Sequence, residues 1–378
     1  MTNPNCGVCS AELPNPIAGF EARHRVTSDC KPFGPGGKIA QCEACGVVQK
    51  PNDAQWRADC NRIYGAYDNY SLTGGVEQSV RGGPGGRDYA PRSDLVLGTY
   101  ADAMGLPENG RMLDYGCGKG PTTKAADRIL QDWTIDGYDL DRRAEETLGA
   151  IPSFGTLYTG DPADIPHRYD LIILMHALEH IPDGHSVLRG LGELLTPNGH
   201  IVIQVPNRLQ NPFDLLVADH TLHFDRGSLY AVGARSGLAP MVLSEDWVVK
   251  ELSMVLGHGE GITEPAPVDV PAVTQVAWLE AVVATAREAA QQTPFGIFGT
   301  SITGTWLAAE IGRAPDFWID EDAAKQGVEI DGAPVLAPDT APPGAAVLMA
   351  MAPRVAATVA ARLAHLDLIF VAFPAEPR

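Results

Sequence analysis

No apolar run in this chain approaches the roughly 20 residues needed to cross a bilayer, so a membrane partner is not expected. Positive charge is also short. Lys and Arg total 28 against 47 Asp and Glu, a net charge of −19 over 378 residues. That balance argues against nucleic acid or an anionic lipid surface as the main partner. Met1-Thr2-Asn3-Pro4-Asn5 has neither a basic nor an apolar stretch of the kind a secretory leader carries. The expected compartment is the cytoplasm, where thiols stay reduced. No sequence repeat and no coiled-coil heptad is visible.

Cysteine is scarce, with seven residues, but four fall in two C-x-x-C pairs. Cys6-Gly7-Val8-Cys9 and Cys42-Glu43-Ala44-Cys45 can offer four thiolates to one tetrahedral Zn²⁺. Disulfides are disfavoured by the compartment, and a redox C-x-x-C needs a thioredoxin-like context that is absent. Cys30 and Cys60 read as small hydrophobes. Residues 1–62, rich in Pro, Gly and Cys, are therefore expected to be a zinc-stapled module too small to bury a core of its own. Residues 63–92 carry Tyr64, Tyr67 and Tyr70 ahead of a glycine-rich stretch and read as a linker or lid.

From residue 93 the pattern alternates strand and helix, which predicts a doubly wound α/β sheet. Strands are expected at 111–114, 134–139, 170–175 and 200–205, with a turn at Pro197-Asn198-Gly199. A helical connector is expected over 251–292 and a second Rossmann-like unit over 293–378, where Phe295 to Gly304 repeats the strand–glycine–helix logic.

Leu113-Asp114-Tyr115-Gly116-Cys117-Gly118-Lys119-Gly120 ends the first of those strands. Glycine belongs there because the turn visits positive φ and a Cβ would meet a bound nucleotide-like ligand. Dinucleotide folds place their key acid about 20 residues after the glycines. Here Asp114 precedes them, an order that resembles class I S-adenosylmethionine (SAM) methyltransferases. Further signals follow in order. Asp139, before Leu140, can accept from ribose hydroxyls. Asp161 after Gly160 matches the acid that caps the adenine amino group in that class. Met175-His176-Ala177-Leu178-Glu179-His180-Ile181-Pro182-Asp183 closely resembles its segment after the fourth strand. The expected cofactor-binding set is Asp114, Gly116, Cys117, Gly118, Gly120, Asp139, Leu140, Asp161, Met175 and His176.

Methyl transfer needs in-line positioning and a base for the acceptor's proton. Histidine is the natural base near neutrality. His176, His180, His220 and His223 all follow strands at the sheet's C-terminal edge, where ligands sit in this architecture. His220 and His180 are the catalytic candidates, with Asp219 able to orient His220 or an acceptor hydroxyl and Tyr67 able to close over the acceptor. The spacing of the four histidines gives no metal-ligand pattern.

Taken whole, the chain resembles three-part sugar C-methyltransferases that act on nucleotide-linked deoxy-ketosugars. That resemblance implies a class I methyltransferase sheet between an N-terminal zinc module and a C-terminal Rossmann-like domain. It implies Cys6, Cys9, Cys42 and Cys45 as structural zinc ligands, SAM as cofactor and a nucleotide-linked sugar as the small-molecule partner. The family's Tyr-x-Glu-His pattern falls on Val217-Ala218-Asp219-His220. The histidine is kept, the acid is one methylene shorter, and valine stands for tyrosine. O- or N-methylation of another small metabolite, and a non-catalytic SAM- or nucleotide-binding protein, remain the alternative readings.

Overall fold

A computed structural model describes residues 4–67, 77, 79–82, 89–266 and 270–377. Tyr70 and most of the glycine-rich stretch after it lie outside the described residues.

The N-terminal unit is built from two-residue strands, β1 (Arg25–Val26), β2 (Pro32–Phe33), β3 (Ala40–Gln41) and β4 (Val48–Gln49), followed by helix α1 (Ala54–Gly65). Asp53 caps α1 by accepting the Trp56 N–H at 2.9 Å, which satisfies a donor the helix itself cannot. The helix runs past residue 62, so the expected module boundary falls inside it. A short ladder of β5 (Ser79–Arg81) and β6 (Tyr89–Pro91) leads into α2 (Arg92–Met104).

The central unit contains β7 (Gly110–Tyr115), α3 (Pro121–Ile129), β8 (Trp133–Tyr138), α4 (Glu145–Gly149), β9 (Phe154–Tyr158), β10 (Tyr169–Met175), α5 (Gly184–Gly192) and β11 (Leu195–Pro206). It continues through β12 (Leu222–His223), α6 (Arg226–Arg235), β13 (Ala239–Ser244) and β14 (Glu251–Gly257). Seven of these strands form one sheet in the order β13-β14-β11-β10-β7-β8-β9. The five from β11 to β9 are parallel; β14 and β13 add antiparallel at the edge. Leu171 to Leu174 of β10 are all buried, as expected for a strand covered on both faces.

The structure departs from two expectations. Residues 251–257, assigned to a helical connector, form β14. Every residue of that strand is buried and it pairs with β11 along seven positions. The turn at 197–199 is a bulge within β11, because the pairing jumps from Tyr169↔Leu195 to Leu171↔His200. Gly199 is needed there, since a Cβ would lie 2.5 Å from the Tyr169 carbonyl oxygen.

The C-terminal unit follows α7 (Ala272–Ala289): β15 (Phe295–Phe298), α8 (Ile302–Ile311), β16 (Phe317–Ile319), β17 (Glu329–Ile330), β18 (Ala333–Leu336), β19 (Ala345–Met349), α9 (Pro353–Arg362) and β20 (Leu368–Val371). Its six-stranded sheet has the order β17-β18-β16-β15-β19-β20, parallel except for β17. Phe20, Phe213, Trp278, Trp306 and Phe373 belong to one buried cluster, so all three units share core. Truncating a buried aromatic of this kind costs about 3–5 kcal/mol. Among the described residues, no helix is long and apolar enough to cross a membrane.

Candidate functional site

The glycine loop leaves β7 with φ of 84° at Gly116, 49° at Gly118 and 79° at Gly120. A Cβ on Gly116 would lie 2.9 Å from the Ala177 Cβ, whereas one on Gly118 would meet none of the described residues within 4 Å. The loop is therefore tight on its sheet side and open outward. Asp139 braces it, accepting the Gly118 N–H on Oδ2 at 2.7 Å and the Leu140 N–H on Oδ1 at 2.7 Å. Each oxygen keeps a lone pair for a further donor. Leu140 beside it is 74% exposed.

Asp114 lies beneath the loop, fully buried, accepting the Thr123 hydroxyl at 2.8 Å. Burial pushes its pKa up to about 7, against the Thr123 hydrogen bond. Cys117 departs from expectation. Its side chain turns into a buried apolar cluster with Leu148, Ile151 and Leu157, and its N–H goes to the Tyr138 carbonyl at 3.1 Å. It offers a ligand neither thiol nor N–H. Asp161 caps a short 3₁₀ turn by accepting the Ala163 N–H at 2.9 Å.

The segment after β10 sorts its two histidines. Met175 ends the strand half-buried. His176, at φ 51°, is held between two glutamates, Nδ1 3.1 Å from Glu179 Oε1 and Nε2 3.1 Å from Glu251 Oε2. Burial alone would lower its pKa, but the Glu251 carboxylate, helped by Glu179, outweighs this and holds it at about 9. The two carboxylates therefore favour the imidazolium at His176. Among the described residues, Glu179 Oε2 is buried and has no hydrogen-bond partner.

His180 faces the other way. Its Nδ1 lies 3.1 Å from the Tyr64 hydroxyl and 3.2 Å from the Asp219 carbonyl oxygen. Its ring stands edge-on to His220 at 4.7 Å. Burial, and then the His220 charge, lower its pKa.

The orienting acid of His220 is not its neighbour in sequence. Asp219 turns toward the N-terminal unit, accepting the Ser28 N–H at 2.9 Å and the Ser28 hydroxyl at 2.5 Å. Ser28 Oγ also lies 3.2 Å from the Tyr67 hydroxyl. Asp214, fully buried in the 3₁₀ turn Pro212–Leu216, takes the orienting place. Its Oδ1 lies 2.7 Å from His220 Nδ1 and its Oδ2 lies 2.6 Å from His223 Nδ1. Burial opposes its ionisation, yet the two imidazoles hold its pKa far below the usual carboxylate range. In return Asp214 raises that of His220 against burial. With Nδ1–H given to Asp214, His220 presents Nε2 as its basic nitrogen. These three residues lie close enough to hold an ion, but the two short hydrogen bonds already account for the approach.

The sequence pattern did not single out Asp214, Glu179, Ser28 or Lys50. Lys50, just past β4, is 1% exposed and reaches His223 Nε2 at 2.8 Å. The four cysteines of the two C-x-x-C pairs do converge. Cys6 and Cys45 Sγ are 3.6 Å apart, Cys9 and Cys42 3.5 Å, and all four lie within 4.8 Å of one another. Tetrahedral Zn–S bonds of about 2.3 Å imply S···S edges near ~3.8 Å, so this donor set fits Zn²⁺.

Residues 92–240 match the family described as a methyltransferase domain. A ubiquinone biosynthesis O-methyltransferase of Proteus mirabilis (strain HI4320) is 30% identical over 119 residues, 28% of this chain and 46% of its own length. That of Bordetella avium (strain 197N) is 27% identical over 175 residues, 39% of this chain and 69% of its own. The chain spans about half the length of the curated relatives it matches. Among solved structures, a SAM-dependent methyltransferase from Clostridium acetobutylicum ATCC 824 aligns at 13% identity over 53% of this chain and 99% of its own, with a TM-score of 0.38. The family match covers the five parallel strands, the glycine loop and both edge segments, so residues 92–240 are similar to a methyltransferase domain.

Proposed function

We propose that the protein is a SAM-dependent methyltransferase that acts on a small hydroxyl-bearing acceptor, a sugar nucleotide or a related glycan or natural-product precursor, with His220 as general base. The observation that carries this reading is the Asp214–His220 couple at the same sheet edge as the glycine loop. SAM, when bound, supplies an electrophilic methyl group. Asp139, the loop glycines and Leu140 would hold it, since the loop is open outward and Asp139 retains acceptor capacity. His220 takes the acceptor's proton at Nε2, and the Asp214 carboxylate stabilises the imidazolium that forms. His180 and Tyr64 wall the acceptor space opposite. Glu179 Oε2 would accept from a ligand hydroxyl, which relieves a buried oxygen that otherwise lacks a partner.

Two features favour oxygen as the atom methylated. Val217 stands where the C-methyltransferase pattern has tyrosine, and the relatives above are named O-methyltransferases. Zn²⁺ on Cys6, Cys9, Cys42 and Cys45 would be structural, stapling a module whose own core is small.

The test is calorimetric titration with SAM, followed by methyl-labelled SAM against panels of sugar nucleotides and small phenols or alcohols. Wild type should bind SAM and label an acceptor. Absence of SAM binding overturns the reading. Washout of an acceptor α-proton into solvent before transfer would move it from oxygen to carbon. Elemental measurement of about one zinc per chain, lost in Cys42→Ser, checks the metal.

A further inference from the structure

The geometry points to Lys50 as a positioning residue for His220, acting through His223 and Asp214 from the N-terminal unit. Its Nζ makes three contacts: the Leu215 carbonyl at 3.2 Å, the His220 carbonyl at 2.9 Å and His223 Nε2 at 2.8 Å. An ammonium has three N–H donors and no acceptor, so in its protonated form each contact can only be a donation.

His223 Nε2 must accept, so the ring's proton sits on Nδ1. That N–H donates to Asp214 Oδ2 at 2.6 Å. The two imidazoles hold Asp214 well below the usual carboxylate range, so it is the carboxylate and Oδ1 accepts the His220 Nδ1–H at 2.7 Å. His220 is thereby fixed in the tautomer whose Nε2 carries the lone pair. One end of the chain cannot accept, and the other end is left basic.

The surrounding charges agree. Lys50 is faced by Asp214, Arg25, Asp219, Cys60 and His223, and Arg25 is itself paired with Asp59 at 2.9 Å. Burial lowers the Lys50 pKa to about 7, and Asp214 works against that fall. Burial, with the Lys50 charge next, lowers that of His223 to about 4. His220 is faced by Asp214, Glu179, Asp219, His180 and His223. With His223 held neutral, His220 faces no second imidazolium across Asp214.

This inference rests on His220 being the base, so its test reads titration and not methyl transfer. Full-length chain labelled with ¹⁵N-histidine and saturated with SAM is followed by NMR between pH 5 and 9, with His220 and His223 assigned by substitution. In wild type, His223 should keep its proton on Nδ1 and not titrate above pH 6. In Lys50→Met, its midpoint should rise by more than one pH unit, and that of His220 should fall, because a protonated His223 now competes for Asp214. SAM affinity within twofold of wild type certifies the fold. Lys50→Gln is measured alongside and should shift both midpoints in the same directions, so a misfolded Lys50→Met does not end the test. Unmoved His223 and His220 midpoints in the variants that bind SAM overturn the inference and leave Lys50 a structural tether. That result would leave the methyltransferase reading standing. A wild type that fails to bind SAM would sink the latter instead.

Discussion

After β7 and again after β15 the chain makes the same move. A strand ends in a glycine at positive φ, a helix opens, and an aspartate closes the neighbouring parallel strand. At the first turn Asp139 accepts two backbone N–H groups and keeps acceptor capacity facing outward. At the second, Asp320 Oδ2 accepts the Thr300 N–H at 3.2 Å, the Thr300 hydroxyl at 2.6 Å and Lys325 Nζ at 3.2 Å, while Oδ1 takes the Asp322 N–H at 3.0 Å. Burial raises the Asp320 pKa, but Lys325 and Thr300 bring it down overall. The helix also sits hard on its loop there, for a Cβ on Gly304 would lie 2.0 Å from the Gly299 carbonyl oxygen. Topology supplies the turn in both units. Receptivity comes from what the turn leaves unpartnered, and the second turn satisfies itself.

That contrast can be broken or sharpened by experiment. The largest effect is expected at the first edge. His220→Ala should slow methyl transfer about a thousandfold, within the range for loss of a general base, with SAM affinity held within twofold. A loss confined to SAM binding would remove His220 from the chemistry.

The next concerns buried charge. The strand beside the first turn runs into His176, held between two glutamates, while its counterpart β19 runs into Ala350. The folded pKa of His176, about 9, is above the ordinary histidine value. Its contribution to stability is therefore fully present below about pH 6.5 and is lost as pH rises through 9, by at most about 3 kcal/mol. Urea unfolding at pH 6.5 and 9.5 should show the decline in wild type, and His176→Gln should flatten it.

Smaller still, Asp139→Ala should weaken SAM binding some tens-fold, about 2 kcal/mol. Asp320→Ala should leave SAM affinity within twofold and lower stability by about 1 kcal/mol through the lost Thr300 hydrogen bonds. Equal losses of SAM affinity in these two variants would erase the distinction between the turns.

The first turn could be read from the chain because its parts are contiguous and chemically unusual. Three alternate glycines, an acid just before them and an acid after the next strand need no tertiary knowledge. The proposed base could be nominated too, since His220 follows a strand at the correct edge. Its orienting acid could not. Asp219 is adjacent in sequence, but the residue before a histidine in an irregular segment need not share its face, and Asp219 turns to Ser28. Asp214 lies in a 3₁₀ turn six residues back, with no periodicity to flag it. Lys50 comes from another unit 170 residues away. The strand Glu251–Gly257 was missed for a related reason. Its apolar run follows the last expected parallel strand, and only pairing with β11 shows that the sheet continues.

One pairing carries a consequence for how such a chain can change over time. Leu222 and His223 of β12 are bonded to Gln49 and Val48 of β4, three residues beyond Cys45, in a small sheet made of both units. A slip of one residue in that register would turn His223 to the opposite face. The cysteine module is thus no detachable cassette. Exchanging it for a relative's, or shortening the loop after its last knuckle, would reset a side chain in the neighbouring unit. Inheritance would have to carry the two segments together.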